Sequence, residues 1–272
     1  MVYSANFKGK MYALKDPNIN LIMDQKIFKK FTRELENLYD IDHPNIIKFY
    51  GISRVYLSLA PLDHFMIVLQ FANGGNLQKY LETKHNNGLY KISWIELMRI
   101  AKEITDGLKH LHENNIIHLD LSSKNILINY SKALIADFGI SKCLEDDTSS
   151  DSNTLGMVAY VDPQYLKKGN KYKRNEKSDI YSLGVLFWEI TSGIPPFKTL
   201  NHMEIMVKIY NNKREEFIAD TPAGYKDLYM KCWSSNPDQR PLSHEVFEEL
   251  KKLSTEIAIE SIVNIVANQT FE

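Results

Sequence analysis

At 272 residues the chain has room for one large domain or two small ones. Its 44 % hydrophobic and 25 % charged content is ordinary for a soluble globular protein, and a formal net charge of −1 gives no general attraction to nucleic acid or anionic lipid. The first thirty residues are too charged for a signal peptide, and the most apolar run, Ile180 to Ile190, is too short to span a bilayer and contains Glu189. Two cysteines, Cys143 and Cys232, in no metal-type spacing, make a reduced cytoplasmic compartment the default. One local charge run stands out, Lys167 to Lys177, with six Lys/Arg and one Glu. A solvated loop is the ordinary reading of such a run, and docking of an acidic peptide the sharper one. No repeat or long linker is visible, and nothing sets an oligomeric state.

Taken in order, Met1 to Lys15 reads as two strands joined by the turn Asn6-Phe7-Lys8-Gly9-Lys10, with Met11, Ala13 and Lys15 on one face of the second. From about Asp24 to Tyr39, Phe28, Phe31, Leu35 and Leu38 recur at helical spacing behind Asp24 as N-cap. On that helix Glu34 reads as a surface partner of Lys30, a pair contributing about 0.3 kcal/mol. The segment His43-Pro44-Asn45-Ile46-Ile47 follows. Met66 to Ala72 is an apolar strand running into the turn-rich Asn73-Gly74-Gly75-Asn76.

Ser93-Trp94-Ile95-Glu96 matches a capping box, and the stripe Trp94, Leu97, Met98, Ala101, Ile104, Leu108 and Leu111 carries a helix to about Asn114. That helix delivers the chain to Ile116-Ile117-His118-Leu119-Asp120-Leu121-Ser122-Ser123-Lys124-Asn125, with Asp137-Phe138-Gly139 close behind. Asp120, Asn125 and Asp137 can converge on a Mg²⁺-bound triphosphate, because Mg²⁺ takes a few oxygen ligands plus phosphate oxygens, and a carboxylate left off the metal can accept the proton of an attacking hydroxyl. Asn125 to Asn129 and Ala133 to Ala136 read as strands around a Tyr130-Ser131-Lys132 turn, a hairpin that brings Asn125 toward Asp137. A buried helix from about Asp179 to Thr191 stops at Gly193 and Pro195-Pro196, with Asp179 readable as its N-cap. A last helix covers about Ser243 to Ser254. The tail Ile257 to Ala267 has apolar residues at helical spacing and is expected to pack as a final helix.

His118-x-Asp120-x-x-x-x-Asn125 followed by Asp137-Phe138-Gly139 resembles the signature of eukaryotic protein kinases. Cys232-Trp233-x-x-x-Pro237-x-x-Arg240-Pro241 is similar to a late segment of the same family, and the resemblance runs from Val2 to about Leu253, nearest the tyrosine-kinase-like group of serine/threonine kinases. It implies an α+β bilobal fold, with a small β-rich lobe and hinge in residues 1–72 and a larger helical lobe in 73–272. ATP and Mg²⁺ are the implied cofactors and a protein the implied substrate. By the same resemblance Asp120 is the catalytic base, Lys15 holds the phosphates paired to Glu34, and Asn125 and Asp137 hold the metal. Val2, Ala13, Lys15, Leu69, Gln70, Ala72, Leu127 and Asp137 line the nucleotide site, and Asp179 braces the catalytic loop.

Four departures from the family pattern stand out. No Gly-x-Gly-x-x-Gly hairpin precedes Val2; the first glycine is Gly9. Leu119 replaces the arginine that pairs with a phosphorylated activation segment, here the acidic, hydroxyl-rich Ser141 to Asn153. Ser122 and Met157 stand where serine/threonine kinases carry Lys and Thr, so serine/threonine specificity is a preference over tyrosine. Asp162-Pro163-Gln164 replaces Ala-Pro-Glu, leaving Arg240 without its family counter-charge, with Gln164 expected to accept a hydrogen bond from it. Protein phosphotransfer leads as the function. A non-catalytic scaffold of the same fold is the second reading, and a small-molecule kinase ranks last because the 162–164 and 233–241 segments shape a peptide-binding lobe.

Overall fold

The structure, a computed structural model, describes residues 1–16, 35, 39, 41–55, 64–137, 158–256 and 259–266. It opens with an antiparallel hairpin of β1 (Val2–Phe7) and β2 (Lys10–Lys15). The turn residues Lys8 and Gly9 both have positive φ, 51° and 80°, which matches the right-handed twist of the paired strands. With β3 (Phe49–Val55) and β4 (His64–Gln70) the hairpin forms a four-stranded antiparallel sheet of order β1-β2-β4-β3. The helix expected from Asp24 to Tyr39, Glu34 included, lies outside the described residues except for Leu35 and Tyr39, both helical, the first buried and the second exposed.

The helical lobe begins at α1 (Leu77–Glu82), N-capped by Asn76, and continues through the short strands β5 (His85–Asn86) and β6 (Leu89–Ser93) into α2 (Trp94–Glu113). All seven residues of the expected α2 stripe are buried. Half of the expected capping box forms. Ser93 Oγ accepts from the Glu96 N–H at 3.2 Å, but the Glu96 carboxylate turns to Lys84 at 2.8 Å and to the Tyr80 hydroxyl. An ion pair plus a hydrogen bond outweighs one backbone N–H. The hairpin β7 (Ile126–Asn129) and β8 (Lys132–Ile135) turns on Tyr130 and Ser131, again both at positive φ.

Helices α3 (Pro163–Lys168), α4 (Glu176–Ser192), α5 (His202–Tyr210), α6 (Ala223–Cys232) and α7 (Ser243–Glu256) complete the lobe. Helix α4 is buried on every side from Ser178 to Ser192, hence its apolar run without amphipathic spacing. It starts earlier than expected, with Asn175 as N-cap, so the N-cap reading of Asp179 is corrected. It ends at Gly193, whose φ of 74° and approach to Tyr90 (a Cβ there would lie 2.2 Å from the ring) leave room only for glycine.

The tail also corrects the sequence reading. Residues Ser261–Ile265 form a strand, β9, paired antiparallel to β6, so that β5-β6-β9 make a three-stranded sheet. Ile262 is fully buried and Asn264 Nδ2 donates to Ser192 O at 2.8 Å, while Val263 and Ile265 are exposed. That is period two. Over so short a run of β-branched residues the helical and strand spacings of apolar positions overlap, and β-branching decides for the strand.

The counter-charge of Arg240 is Asp162. Its carboxylate receives Nη1 at 2.8 Å and Nη2 at 3.0 Å, with both side chains fully buried. The same carboxylate accepts from Gln164 N–H, which caps α3, and from the Ser178 hydroxyl. Gln164 instead gives its side-chain amide to Ser235 O at 2.9 Å, so the expected Gln164–Arg240 bond is not made. Burial alone raises the Asp162 carboxyl, yet the Arg240 hydrogen bonds and charge, with Gln164 N–H and Ser178, hold it below its ordinary value. A depressed carboxyl contributes stability above its unfolded value that is lost as pH falls. We expect Asp162→Ala to cost about 3–5 kcal/mol in urea denaturation at pH 7, and Gln164→Ala under about 1.5 kcal/mol. The Asp162→Ala deficit should shrink on acidification through the folded-state pKa. Equal losses for the two variants would contradict the assignment.

Candidate active site

The catalytic loop is held by one carboxylate. Asp179, fully buried in α4, accepts the His118 N–H at 2.8 Å and the Leu119 N–H at 2.7 Å. His112, at the end of α2, meets the same carboxylate through Nε2 at 3.0 Å, and its Nδ1 lies 3.1 Å from Ser243 Oγ. Asp179 therefore braces this backbone, as the family resemblance implied. Leu119 sits at φ 63°, a left-handed conformation costing a β-carbon residue on the order of 1–3 kcal/mol. The brace on its N–H holds it there.

His118 ties this loop to the β8 end. Its ring is buried, its Nδ1 accepts the Asp120 N–H at 3.2 Å, and its Nε2 therefore carries the proton it donates to Ala136 O at 3.0 Å. Burial lowers its pKa, against the opposing pull of Asp179 and the Ala136 carbonyl, which keeps the imidazole neutral. Asn125 Nδ2 donates to Asp120 O at 2.7 Å and to Asp120 Oδ2 at 3.1 Å, which leaves Asn125 Oδ1 as an acceptor. Ala136 N–H bonds Asn125 O at 2.8 Å, so the β7–β8 hairpin fixes Asn125 against the residue preceding Asp137. Asp137 itself lies at φ 61°. Phe138 and Gly139 are outside the described residues, as are Met157 and the segment Ser141 to Asn153.

A cavity of about 510 Å³ opens between the four-stranded sheet and this hairpin. All eight residues named for nucleotide contact, Val2, Ala13, Lys15, Leu69, Gln70, Ala72, Leu127 and Asp137, line it. Lys15 Nζ meets Asp137 Oδ1 at 2.7 Å across the cavity, joining β2 to the end of β8. Asp120 and Asn125 are not among the residues that line it. Ile47, Phe71, Lys79 and Ala136 also line the cavity and were missed. Ile47 was within reach of the argument, since its N–H pairs with Ile135 O at 2.8 Å directly after the His43-Pro44-Asn45 segment.

A second missed group lies under the loop. Glu189 of α4 is buried; its carboxylate accepts Ser123 Oγ at 2.8 Å and the Tyr160 hydroxyl, which ties the 3₁₀ turn Val158–Tyr160 to the catalytic loop. Beside it the Ser122 hydroxyl is buried with no hydrogen-bond partner among the described residues. The small side chain at 122, where the resemblance expected lysine, brings no cation to Glu189. Burial pushes the Glu189 carboxyl up to about 7, although Tyr160, Ser123 and Lys124 pull it down.

An antiparallel sheet over a helical lobe, with a lysine and a carboxylate facing each other in the cavity between them, defines the class as bilobal and kinase-like. A family model described as protein tyrosine and serine/threonine kinase matches residues 8–250, and the chain belongs to that family. It is 32 % identical over 264 residues to a probable LIM domain-containing serine/threonine-protein kinase of Dictyostelium discoideum, covering 95 % of this chain and 26 % of that one. It is 29 % identical over 256 residues to a serine/threonine/tyrosine-protein kinase of Arabidopsis thaliana, covering 92 % and 62 %. A dual specificity protein kinase of Dictyostelium discoideum is 32 % identical over 229 residues, covering 84 % and 16 %. The chain thus spans less than two thirds of the length of each of these relatives.

The Glu189 environment has a consequence for stability. A carboxyl raised in the folded state favours folding below its unfolded value and loses that contribution as pH rises to about 7. The shift from 4.5 to about 7 corresponds to roughly 3 kcal/mol. We expect wild type to lose stability relative to Glu189→Gln between pH 5 and pH 7.5, read from urea midpoints of both proteins across that range. A pH-independent difference would show that Glu189 is already ionised at pH 5.

Proposed function

We propose that this chain transfers the γ-phosphate of Mg-ATP to a hydroxyl of a protein substrate. The observation that supports the reading is the hydrogen-bonded set Asp120, Asn125, Asp137 and Lys15, each a chemically suitable group: His118 and the β7–β8 hairpin link Asp120 and Asn125 to Ala136, and Lys15 of β2 meets Asp137 across the cavity. The residues fit the implied cofactors. Asn125 Oδ1 and the Asp137 carboxylate are hard oxygen donors of the kind Mg²⁺ prefers. One carboxylate and one amide oxygen match the small protein share of a Mg²⁺ shell, which phosphate oxygens and water would complete. Mg-ATP supplies the transferable phosphoryl group and the charge that neutralises it.

In this reading Asp120 orients the substrate hydroxyl and accepts its proton, and the Asn125 amide keeps that carboxylate aimed. Lys15 would hold phosphate oxygens with Glu34 as its partner, and the Asp137 carboxylate, with Asn125, would hold the metal. Leu69 would close the back of the adenine pocket, the Gln70 carbonyl and the Ala72 amide would face the base, and Val2, Ala13 and Leu127 complete the lining. Residues 1–72 act as the small lobe and hinge and 73–272 as the large lobe. Serine/threonine acceptors are favoured over tyrosine, supported by the serine/threonine name of one relative, while the dual-specificity name of another allows both. A cytoplasmic location is supported by two cysteines in 272 residues, one of them the buried free thiol Cys232.

The test separates chemistry from binding. Asp120→Asn should lower kcat about 10²–10⁴-fold while calorimetric Mg-ATP affinity stays within about threefold. Asp137→Asn should weaken Mg²⁺-dependent binding by about tenfold or more. Full turnover by Asp120→Asn, with contaminating kinases excluded, would refute the base assignment. Absence of Mg-ATP binding by wild type would move the reading to a non-catalytic scaffold.

A further inference from the structure

We propose that the face made by α3 and the turn after it docks an acidic stretch of the protein substrate, so that the acceptor hydroxyl is one flanked by carboxylates. The inference rests on the phosphotransfer reading for its substrate, though not for the docking itself.

The run Lys167 to Lys177 carries six cations and a single acid, Glu176. One cation is used inside the fold: Lys177 Nζ donates to Arg240 O at 2.5 Å. The other five are Lys167, Lys168, Lys171, Lys173 and Arg174. None of them forms an ion pair among the described residues, whereas Lys84, Arg99, Lys109 and Lys251 all find a carboxylate. Tyrosine rings steady three of the five instead. Arg174 lies 4.3 Å from the Tyr165 centroid, Lys167 5.5 Å from Tyr210 and Lys168 5.9 Å from Tyr172. A ring positions a cation without cancelling its charge. Five crowded like charges repel one another, so the arrangement does not serve stability and becomes favourable when an anion arrives.

The basic surface continues into a neighbouring cavity of about 680 Å³. Lys167 Nζ donates to Asn212 Oδ1 at 3.0 Å, and Asn212 lines that cavity together with Arg214 and Lys231. Arg214 also has no carboxylate partner among the described residues. Its guanidinium spends its bonds on Trp233 O, Lys213 O and Ser235 Oγ, and it lies 5.1 Å from the Tyr181 centroid. Asp227 is the acidic residue lining the cavity.

Placement relates this charge to the acceptor site. Tyr160 Oη lies 3.4 Å from Ser123 Oγ on the loop that bears Asp120, and α3 begins at Pro163. The cations therefore stand on the helix and turn that directly follow the 3₁₀ turn bonded to the loop that bears Asp120. Charge complementarity selects an acidic peptide as the occupant.

The experiment measures binding first. A fluorescent serine peptide flanked by Asp and Glu is compared by anisotropy with its Asn/Gln counterpart, on the full chain and on the variant Lys168→Glu/Lys171→Glu/Lys173→Glu, whose three positions are exposed. Wild type is expected to bind the acidic peptide at least about tenfold tighter at low salt, with the advantage shrinking at high salt and absent in the variant. Asp120→Asn should keep the preference, and in phosphorylation assays of wild type the same discrimination should appear in KM rather than kcat. Acidic-peptide binding without phosphorylation would count against phosphotransfer and leave the docking surface standing. Equal affinity for the two peptides, or a preference that survives the charge reversal, would overturn the proposal. So would at least tenfold tighter peptide binding after Glu145, Asp146, Asp147 and Asp151 are changed to Asn, because the chain's own acidic stretch would then be the occupant.

Discussion

The Asp179 carboxylate is the contact on which the site depends. It is fully buried and accepts two consecutive backbone N–H groups, His118 and Leu119, while His112 closes its third side. A buried N–H left unpaired costs about 1–3 kcal/mol, so the loop has one arrangement that satisfies it. That arrangement includes the left-handed Leu119, which turns the chain so that Asp120 leaves the loop beside Asn125. Because Asp179 belongs to a helix buried on all sides, the loop inherits the rigidity of the core rather than that of the surface.

From this anchor a chain of polar contacts reaches the small sheet. The His118 ring spans from Asp120 N–H to Ala136 O, so the proposed base and the proposed metal ligand move as one unit. Asn45 then clamps β8 from the other side. Its O accepts the Ile135 N–H at 2.8 Å and its Nδ2 donates to Ala133 O at 3.1 Å. Gly107 of α2 admits this contact, since a Cβ there would lie 2.8 Å from Asn45 O. Lys15 completes the circuit through Asp137. The cavity is bounded on both sides by elements tied to the same core.

Much of this was legible because chemistry restricts the residue types. Asp120, Asn125 and Asp137 can be singled out from order and kind, Lys15 follows from the resemblance of its strand to the family's, and the α2 stripe follows from its period. Other features depended on distance. Asp162 and Arg240 are 78 residues apart, and nothing in the local pattern of either announces the pair, so some compensation for the family's glutamate was expected but its source could not be named. The tail was misread because its apolar residues satisfy two periods at once. The β5–β6 hairpin was readable and missed: Asn87-Gly88, both at positive φ, precede the alternation Leu89 out, Tyr90 in, Lys91 out, Ile92 in. The basic run at 167–177 was visible as composition, but only the structure separates Lys177, which is used internally, from the cations that are not.

The central claim is that Asp179 sets the backbone of the loop that carries the proposed base. Amide hydrogen exchange at His118 and Leu119, compared between wild type and Asp179→Asn, tests it most directly. The account predicts slow exchange in wild type. It predicts exchange at least about tenfold faster, a local loss of about 1.4 kcal/mol, at these two amides in the variant, with the amides of β1 to β4 unchanged. Equal protection of His118 and Leu119 in the two proteins would contradict it.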